Sequence, residues 1–190
     1  MAELTSFLTA FGVSAPAGLN AYLPLLIVGL TARFTKLLTL NEPFTWLTNE
    51  WVLGVLGVLV LVEFFADKIA GVDHINDVIN TVIRPVSGAI LFAAASNVFG
   101  ELHPVIAVVL GLLSAGSVHV VKSTVRPVVT ASTLGMGNPI ISFAEDIVAV
   151  VTTIAAILVP ILVFFFVIAT AAVAFYAFRR SHRPEARPLV

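Results

Sequence analysis

The chain has 190 residues, of which 59% are hydrophobic and 11% are charged, and its formal net charge is −1. A soluble domain has about 45–50% apolar and about 25% charged residues, so this composition excludes an ordinary soluble domain and predicts an all-α, polytopic membrane helix bundle. The small net charge excludes the basic surface of a nucleic-acid-binding protein. The absence of cysteine excludes disulfides, thiolate metal sites and a cysteine nucleophile.

The first apolar segment is interrupted by the sequence SAPAG. Pro16 and Gly18 in this sequence predict a short lead-in helix and a break before the first membrane span, with Asn20 directly after the break. No basic residue precedes the apolar part of the N-terminus, so we expect no cleaved signal peptide. A spanning helix needs about 20 mostly apolar residues, and on this criterion about six membrane segments are predicted: 14–32, 51–66, 86–100, 104–121, 127–143 and 147–178.

An amphipathic stretch separates the second and third segments. Its apolar face contains Ile75, Val78, Ile79, Val82 and Val86, and its polar face contains Asp73, Asp77, Asn80 and Arg84. This pattern predicts an interfacial helix that lies on the membrane or folds back on the bundle.

The last two segments differ in character. The fifth, PVVTASTLGMGNPIISF, is polar and rich in small residues, so it either crosses the membrane or re-enters it. The sixth is uncharged from Ile147 to Phe178, and Pro160 predicts a kink in it. Residues 1–178 are expected to form one transmembrane domain, and residues 179–190 a basic cytoplasmic tail.

The positive charges predict the orientation. With six crossings and both termini cytoplasmic, only Arg33 and Lys36 of the ten Lys and Arg residues lie outside. This distribution fits the positive-inside rule and a multi-pass protein of the bacterial inner membrane.

A weak internal repeat joins TVIRPV, which contains Arg84, to STVRPV, which contains Arg126. Each sequence follows an apolar span that ends in lysine, and each proline is suited to the first turn of a helix. The pattern favours a parallel two-helix repeat, with spans two and three matching spans four and five. Chance is the alternative, because arginine and proline are common at cytoplasmic helix starts.

Charged residues concentrate near the predicted helix ends. Spacings of three and four residues place Glu63 with Asp67, and His119 with Lys122 and Arg126, on shared helix faces. Ionisable groups inside a membrane usually face a cavity or one another, so we expect Glu63 or Asp67 to pair with Arg84, Lys122 or Arg126. The alternative is that these charges are solvated or snorkel to the interface. The candidate intramembrane polar or ion site comprises Asn20, Glu63, Asp67, Arg84, His119, Lys122, Arg126, Glu145 and Asp146.

Two other ligand sites follow from local patterns. Arginine next to a helix N-terminus at Arg84 and Arg126 favours an anion. Asp73, His74 and Asp77 are a weak metal candidate, because such spacings are common on helix surfaces, and we expect no metal. Catalytic motifs such as GxSxG or HExxH do not occur, so we expect neither an enzyme nor a cofactor.

Three sequences, SAPAGLNAYLPLLIVGLTARF, EFFADKIAGVDHINDVINTVIRPVSGA and ISFAEDIVAV, resemble the bacterial membrane family catalogued as domain of unknown function 4126. The resemblance covers roughly residues 10–165. It implies an integral membrane protein of several helices and no established activity. The family's characteristic positions would be Gly18, Asn20, Glu63, Asp67, Lys68, Asp73, Arg84, Pro85, Glu145 and Asp146.

Two functions fit these patterns. The first is a small carrier or channel with a charged intramembrane site for a small ion or an anionic solute. The second is a non-catalytic accessory subunit that docks on a larger membrane complex, such as a respiratory energy-transducing one, through the face formed by Phe164, Phe165 and Phe166. The expected partners are the lipid bilayer and either a second copy or that complex, with no nucleic acid.

Overall fold

The computed structural model describes residues 2–69, 72–96, 104–160 and 162, with the backbone alone for residues 2–4 and 72–74. The described residues contain helices and no strand, as the composition predicts. The six α-helices are α1 (Ala2–Ser14), α2 (Leu23–Phe34), α3 (Glu50–Ala66), α4 (Val72–Ala95), α5 (Pro104–Thr133) and α6 (Asn138–Leu158).

Helices α4 and α5 form an antiparallel pair, which is the most extensive contact between helices in the described structure. The two helices approach so closely that a Cβ on Gly111 would lie 2.5 Å from the Cα of Ala89 and from the carbonyl oxygen of Gly88. Gly88 packs equally closely against Ala115. Only residues without a large side chain allow two helix backbones to meet at this distance, so these positions fix how α4 and α5 cross.

The first membrane element is broken, as SAPAG predicts. Helix α1 ends at Ser14, a 3₁₀ turn covers Ala15–Gly18, and α2 begins at Leu23. Gly18 packs against the backbone of α5, where a side chain would collide with the carbonyl oxygen of Ala115. The break therefore lies in the interior of the bundle, beside the centre of α5.

The polar and apolar faces of α4 are reversed relative to a soluble protein. Its apolar residues Ile75, Val78, Ile79, Val82 and Val86 are all at least 45% exposed, whereas Asn80 and Arg84 are buried. The amphipathic stretch is thus not a separate interfacial helix: it continues without interruption into the third predicted segment, and its polar face packs into the bundle. Among the described residues, three helices are long and apolar enough to cross a membrane, at Ile75–Ala95, Pro104–Thr133 and Asn138–Leu158, which suggests a membrane-embedded protein.

The predicted boundaries between residues 121 and 147 are wrong, whereas the predicted end of the sixth segment at 178 lies outside the described residues. Helix α5 runs through the predicted gap between segments four and five, and a turn containing Leu134 and Gly135 with positive φ separates it from α6. Helix α6 begins nine residues before Ile147 and ends at Leu158, just before Pro160. The two-helix repeat is also wrong in the described residues, because its first unit is two helices, α3 and α4, and its second unit is the single helix α5.

Candidate functional site

Four helices bring charged side chains together in the interior of the bundle. We call this set the buried charge cluster. Its members are Glu63, Asp67, Lys68, Asp77, Arg84, Lys122, Arg126, Glu145 and Asp146. Every member has at least one oppositely charged partner within 4 Å in the described structure, which lowers the large cost of removing these groups from water.

Arg84 is the deepest cation of the cluster, with a fully buried side chain. Its guanidinium donates from Nη2 to Glu63 Oε1 at 3.0 Å and from Nη1 to Asp77 Oδ1 at 3.0 Å. The same Nη1 lies 3.1 Å from Nδ1 of His119. The Glu63 carboxylate is also buried, and Asn80 donates to it at 3.1 Å. A planar guanidinium with several donors suits this branched arrangement, which a lysine could not reproduce.

Asp67, which follows the last residue of α3, connects three cations. Its Oδ2 lies 3.0 Å from Lys122 Nζ, 3.1 Å from Arg126 Nη2 and 3.6 Å from Arg84 Nη2, and Asn76 donates to Oδ1 at 2.7 Å. Burial by itself would raise the pKa of the Asp67 carboxyl, but the positive charges of Lys122, Arg126 and Arg84 outweigh burial and hold this pKa below its ordinary value. Asp67 therefore stays ionised.

The cluster is more accessible at one end. The side chains of Lys68, Asp77, Glu145 and Asp146 are 11–19% exposed, whereas Glu63 and Arg84 are at most 1% exposed. Lys68 pairs with Asp146 at 3.2 Å, and Glu145 pairs with Lys122 at 3.0 Å and with Arg126 at 2.9 Å. These partly exposed groups form the rim of the cluster.

Helices α4 and α5 are in backbone contact beyond the cluster. Along α4 the order is Asp77 at the rim, Arg84 in the interior and then Gly88, which packs on Gly111 and Ala115 of α5. This contact leaves no room for water between α4 and α5 at Gly88.

The break between α1 and α2 is bonded directly to the cluster. Lys122 donates to the carbonyl oxygen of Leu19, and the backbone N–H of Ala21 donates to Glu63 Oε2 at 3.0 Å. Asn20 accepts from the backbone N–H groups of Tyr22 and Leu23, and its amide donates to Asp146 at 3.0 Å. The Lys122 cation thus lies at the carbonyl end of the 3₁₀ turn, and the Glu63 carboxylate lies near the N–H end of α2. Both placements are favoured by the helix dipoles.

Arg84 and its neighbour His119 lie at the middle of their helices. Arg84 has eleven residues of α4 after it and His119 has fourteen residues of α5 after it. At about 1.5 Å per residue, Arg84 is about 17 Å from either end of α4. A bilayer core is about 30 Å thick, so Arg84 reaches its central plane if α4 spans it.

The ion pairs expected from the sequence are present: Glu63 meets Arg84, and Asp67 meets Lys122 and Arg126. All nine candidate site residues lie in or against the cluster, although their binding of an ion stays a prediction. Sequence reasoning missed Lys68, Asp77, Asn76, Asn80 and Thr81 as members or partners. The sequence did contain a signal for the partners on α4. Asn76, Asn80 and Arg84 are spaced four residues apart, on the face opposite the exposed valines. In a membrane protein the polar face of such a helix points into the bundle.

The anion hypothesis loses its structural basis. Pro85 and Pro127 lie inside α4 and α5, not in their first turns, so neither Arg84 nor Arg126 is at a helix N-terminus. A proline inside a helix removes one N–H bond, which tertiary packing tolerates here.

The candidate metal ligands and the candidate partner face lie partly or wholly outside the described residues. Of the metal candidate, the side chains of Asp73 and His74 lie outside the described residues and Asp77 pairs with Arg84. The described part of the chain contains no group of three or more potential metal ligands. Phe164, Phe165, Phe166 and the basic tail at 179–190 also lie outside the described residues.

A sequence model of the family described as Domain of unknown function (DUF4126) matches residues 7–180. The chain belongs to this family. The DUF4126 match includes every member of the buried charge cluster, so the cluster lies inside the family's domain, and the resemblance seen in the sequence is confirmed. No curated protein and no solved structure matches the chain significantly.

Proposed function

We propose that this DUF4126 protein is a small carrier or channel of the bacterial inner membrane that moves a small cation through the buried charge cluster. The observation that carries the proposal is the broken helix between α1 and α2, whose backbone groups bond to the charged side chains of Glu63, near the end of α3, and Lys122, in the interior of the membrane-length helix α5. Discontinuous helices with charged groups at membrane depth are typical of transport sites.

The charges of the described cluster favour a cation over an anion. It contains five carboxylates and four Lys or Arg side chains, so its net charge is −1 when His119 is neutral. Every one of the four cations is already paired with a carboxylate, which leaves no positive charge in excess for an anion. A buried net negative charge is costly, and one monovalent cation would neutralise it.

The accessible rim and the closed contact between Gly88 and Gly111 support a carrier that is open to one side. In such a carrier, α4 and α5 would separate at this contact to expose the cluster to the other side. The free-energy cost of that separation is small, because small residues bury little apolar side-chain surface at the contact.

Current measurements on solid-supported membranes test the proposal. Reconstituted protein is exposed to concentration jumps of H⁺, Na⁺, K⁺, chloride and phosphate, and the sign of the current identifies the moving ion. We expect current from a cation jump, which Asp67→Asn abolishes and which Glu50→Gln preserves, because Glu50 is in an exposed ion pair far from the cluster. A current carried by an anion, or cation current unaffected by Asp67→Asn, contradicts the proposal.

A second candidate function, docking on a larger membrane complex, is supported by the outer face of α3. A shallow groove there is lined by Glu50, Trp51, Gly54, Val55, Val58 and Leu59. Trp51 is 84% exposed, and a Cβ on Gly54 or Gly57 would have no neighbour within 4 Å. Stoichiometric purification with larger subunits, released by Gly54→Leu, together with no current from the isolated protein, would favour docking.

A further inference from the structure

The hydrogen bonds of His119 define its protonation state in this structure. Arginine has donors only and stays protonated, so the contact of 3.1 Å between Arg84 Nη1 and His119 Nδ1 requires an unprotonated Nδ1 that accepts. On the other side of the ring, Nε2 lies 3.2 Å from Thr81 Oγ1. Thr81 already donates its hydroxyl proton to the carbonyl oxygen of Asp77, so Nε2–H donates to Thr81. His119 is therefore the neutral tautomer with its proton on Nε2.

A second proton on His119 is incompatible with this arrangement. An Nδ1–H would point at the N–H of Arg84 Nη1, placing two donors and two positive charges face to face. Arg84 can yield this position without becoming unpaired, because its Nε and Nη2 bond to Glu63 at 3.3 and 3.0 Å independently of Nη1. The carboxylate of Asp77, held by the same Nη1 at 3.0 Å, is the acceptor that this movement releases.

We infer that the ion bound by the cluster is a proton, and that His119 Nδ1 takes it up while Asp77 exchanges its bond from Arg84 to the protonated imidazole. The proton comes from water at the rim, where Asp77 is 16% exposed. A proton needs only one free lone pair, whereas a metal cation needs several oxygen or nitrogen ligands, and the described residues offer no such group. Protonation also brings the described cluster from a net charge of −1 to zero.

His119 contacts the cluster, whose charged groups come from four parts of the chain. Helix α4 supplies Arg84 and Asp77, α5 itself supplies Lys122 and Arg126, the end of α3 supplies Glu63 and Asp67, and α6 supplies Glu145 and Asp146. The 3₁₀ turn packs the backbone of Gly18 against His119 and adds no titratable group. Arg84, which contacts Nδ1 directly, opposes a positive charge on the imidazole, so protonation requires Arg84 to move away from the ring.

The role of this proton site in transport rests on the proposed function, but a spectroscopic experiment tests protonation of His119 without measuring ion flux. The chain has four histidines, so the variant His74→Gln, His103→Gln, His182→Gln leaves His119 as the only one. The protein is labelled with ¹⁵N-histidine, reconstituted in lipid, and its ring nitrogens are observed by solid-state NMR from pH 4 to pH 9. Where this variant does not fold, the difference between wild type and His119→Gln isolates the same signals.

We expect an unprotonated Nδ1 and a protonated Nε2 at high pH, and two protonated nitrogens at low pH. Asp77→Asn, which keeps the shape of the side chain but removes the charge, should weaken proton affinity at least tenfold. Thr81→Val should move the proton off Nε2 in part of the population, because the acceptor is gone.

Two results would overturn the inference: an Nδ1–H tautomer at high pH, or a ring that stays neutral down to pH 4. An unchanged midpoint in Asp77→Asn would overturn the partner exchange. The failures of the two proposals are distinguishable. If cation current is observed but His119 never becomes protonated, only the proton site is refuted. If His119 becomes protonated but no current is observed, only the proposed carrier function is refuted.

Discussion

Replacement of Arg84 by methionine tests whether the ion pairs of the cluster hold the bundle together. Methionine keeps most of the volume but removes the guanidinium that contacts Glu63, Asp77, Asp67 and His119. Glu63 would then lose its counter-ion in a position where its side chain is 1% exposed, with Asn80 and a backbone N–H as its remaining donors.

The expected loss of stability is about 3–5 kcal/mol, because breaking a buried pair leaves one charge without compensation. This loss corresponds to a change of about a hundredfold to several thousandfold in the unfolding equilibrium. The double variant Glu63→Gln/Arg84→Met removes both charges, so it should be more stable than Arg84→Met alone, with a coupling of about 1–3 kcal/mol.

Unfolding by sodium dodecyl sulfate in mixed micelles, followed by far-ultraviolet circular dichroism, measures these differences. Arg33→Met is the matched control, since Arg33 pairs with Glu50 at the surface, where the side chains are 30% and 77% exposed, and an exposed pair contributes about 0–1 kcal/mol. An Arg84→Met loss no larger than the Arg33→Met loss would refute the reasoning. Additive losses in the double variant would refute it equally.

Three further predictions concern packing, capping and orientation. Gly111→Ala should destabilise the bundle by about 1–3 kcal/mol in thermal scans, because its Cβ meets α4 backbone, whereas Gly54→Ala, with open space around it, should be neutral or stabilising by up to about 1 kcal/mol. Asn20→Ala should cost about 1–2 kcal/mol in the same scans through loss of the N–H acceptor at the start of α2; an unchanged midpoint would contradict that role. Leu37→Cys, in an exposed loop of a chain without cysteine, should react with an impermeant maleimide added outside intact cells; reaction only after lysis would reverse the predicted orientation.

The sequence predicted the members of the cluster better than their surroundings. Glu63, Arg84 and Arg126 could be identified because charges within apolar stretches are costly and must find partners. The break at SAPAG was likewise predictable, because proline and glycine act locally on the backbone. Both signals depend on a residue and its neighbours in sequence.

The helix boundaries depended on contacts that no local pattern contains. Pro85 and Pro127 favour helix starts, yet both lie within helices, which pack extensively against each other. Lys122 was expected to pair with Glu63 or Asp67, or to snorkel to the interface. It pairs with Asp67, but it also bonds to the carbonyl oxygen of Leu19, which is more than a hundred residues away in sequence. A broken helix in another part of the chain supplied this partner, and its position could not be deduced from spacing.

Proton entry into sealed vesicles tests the central claim most directly. Vesicles of reconstituted protein carry a pH-sensitive dye inside, an inward proton gradient is imposed, and valinomycin with potassium compensates the charge. We expect acidification well above that of protein-free vesicles, at least tenfold slower in Asp67→Asn, and unchanged in Arg33→Met. Equal acidification in vesicles with and without the wild-type protein would contradict it.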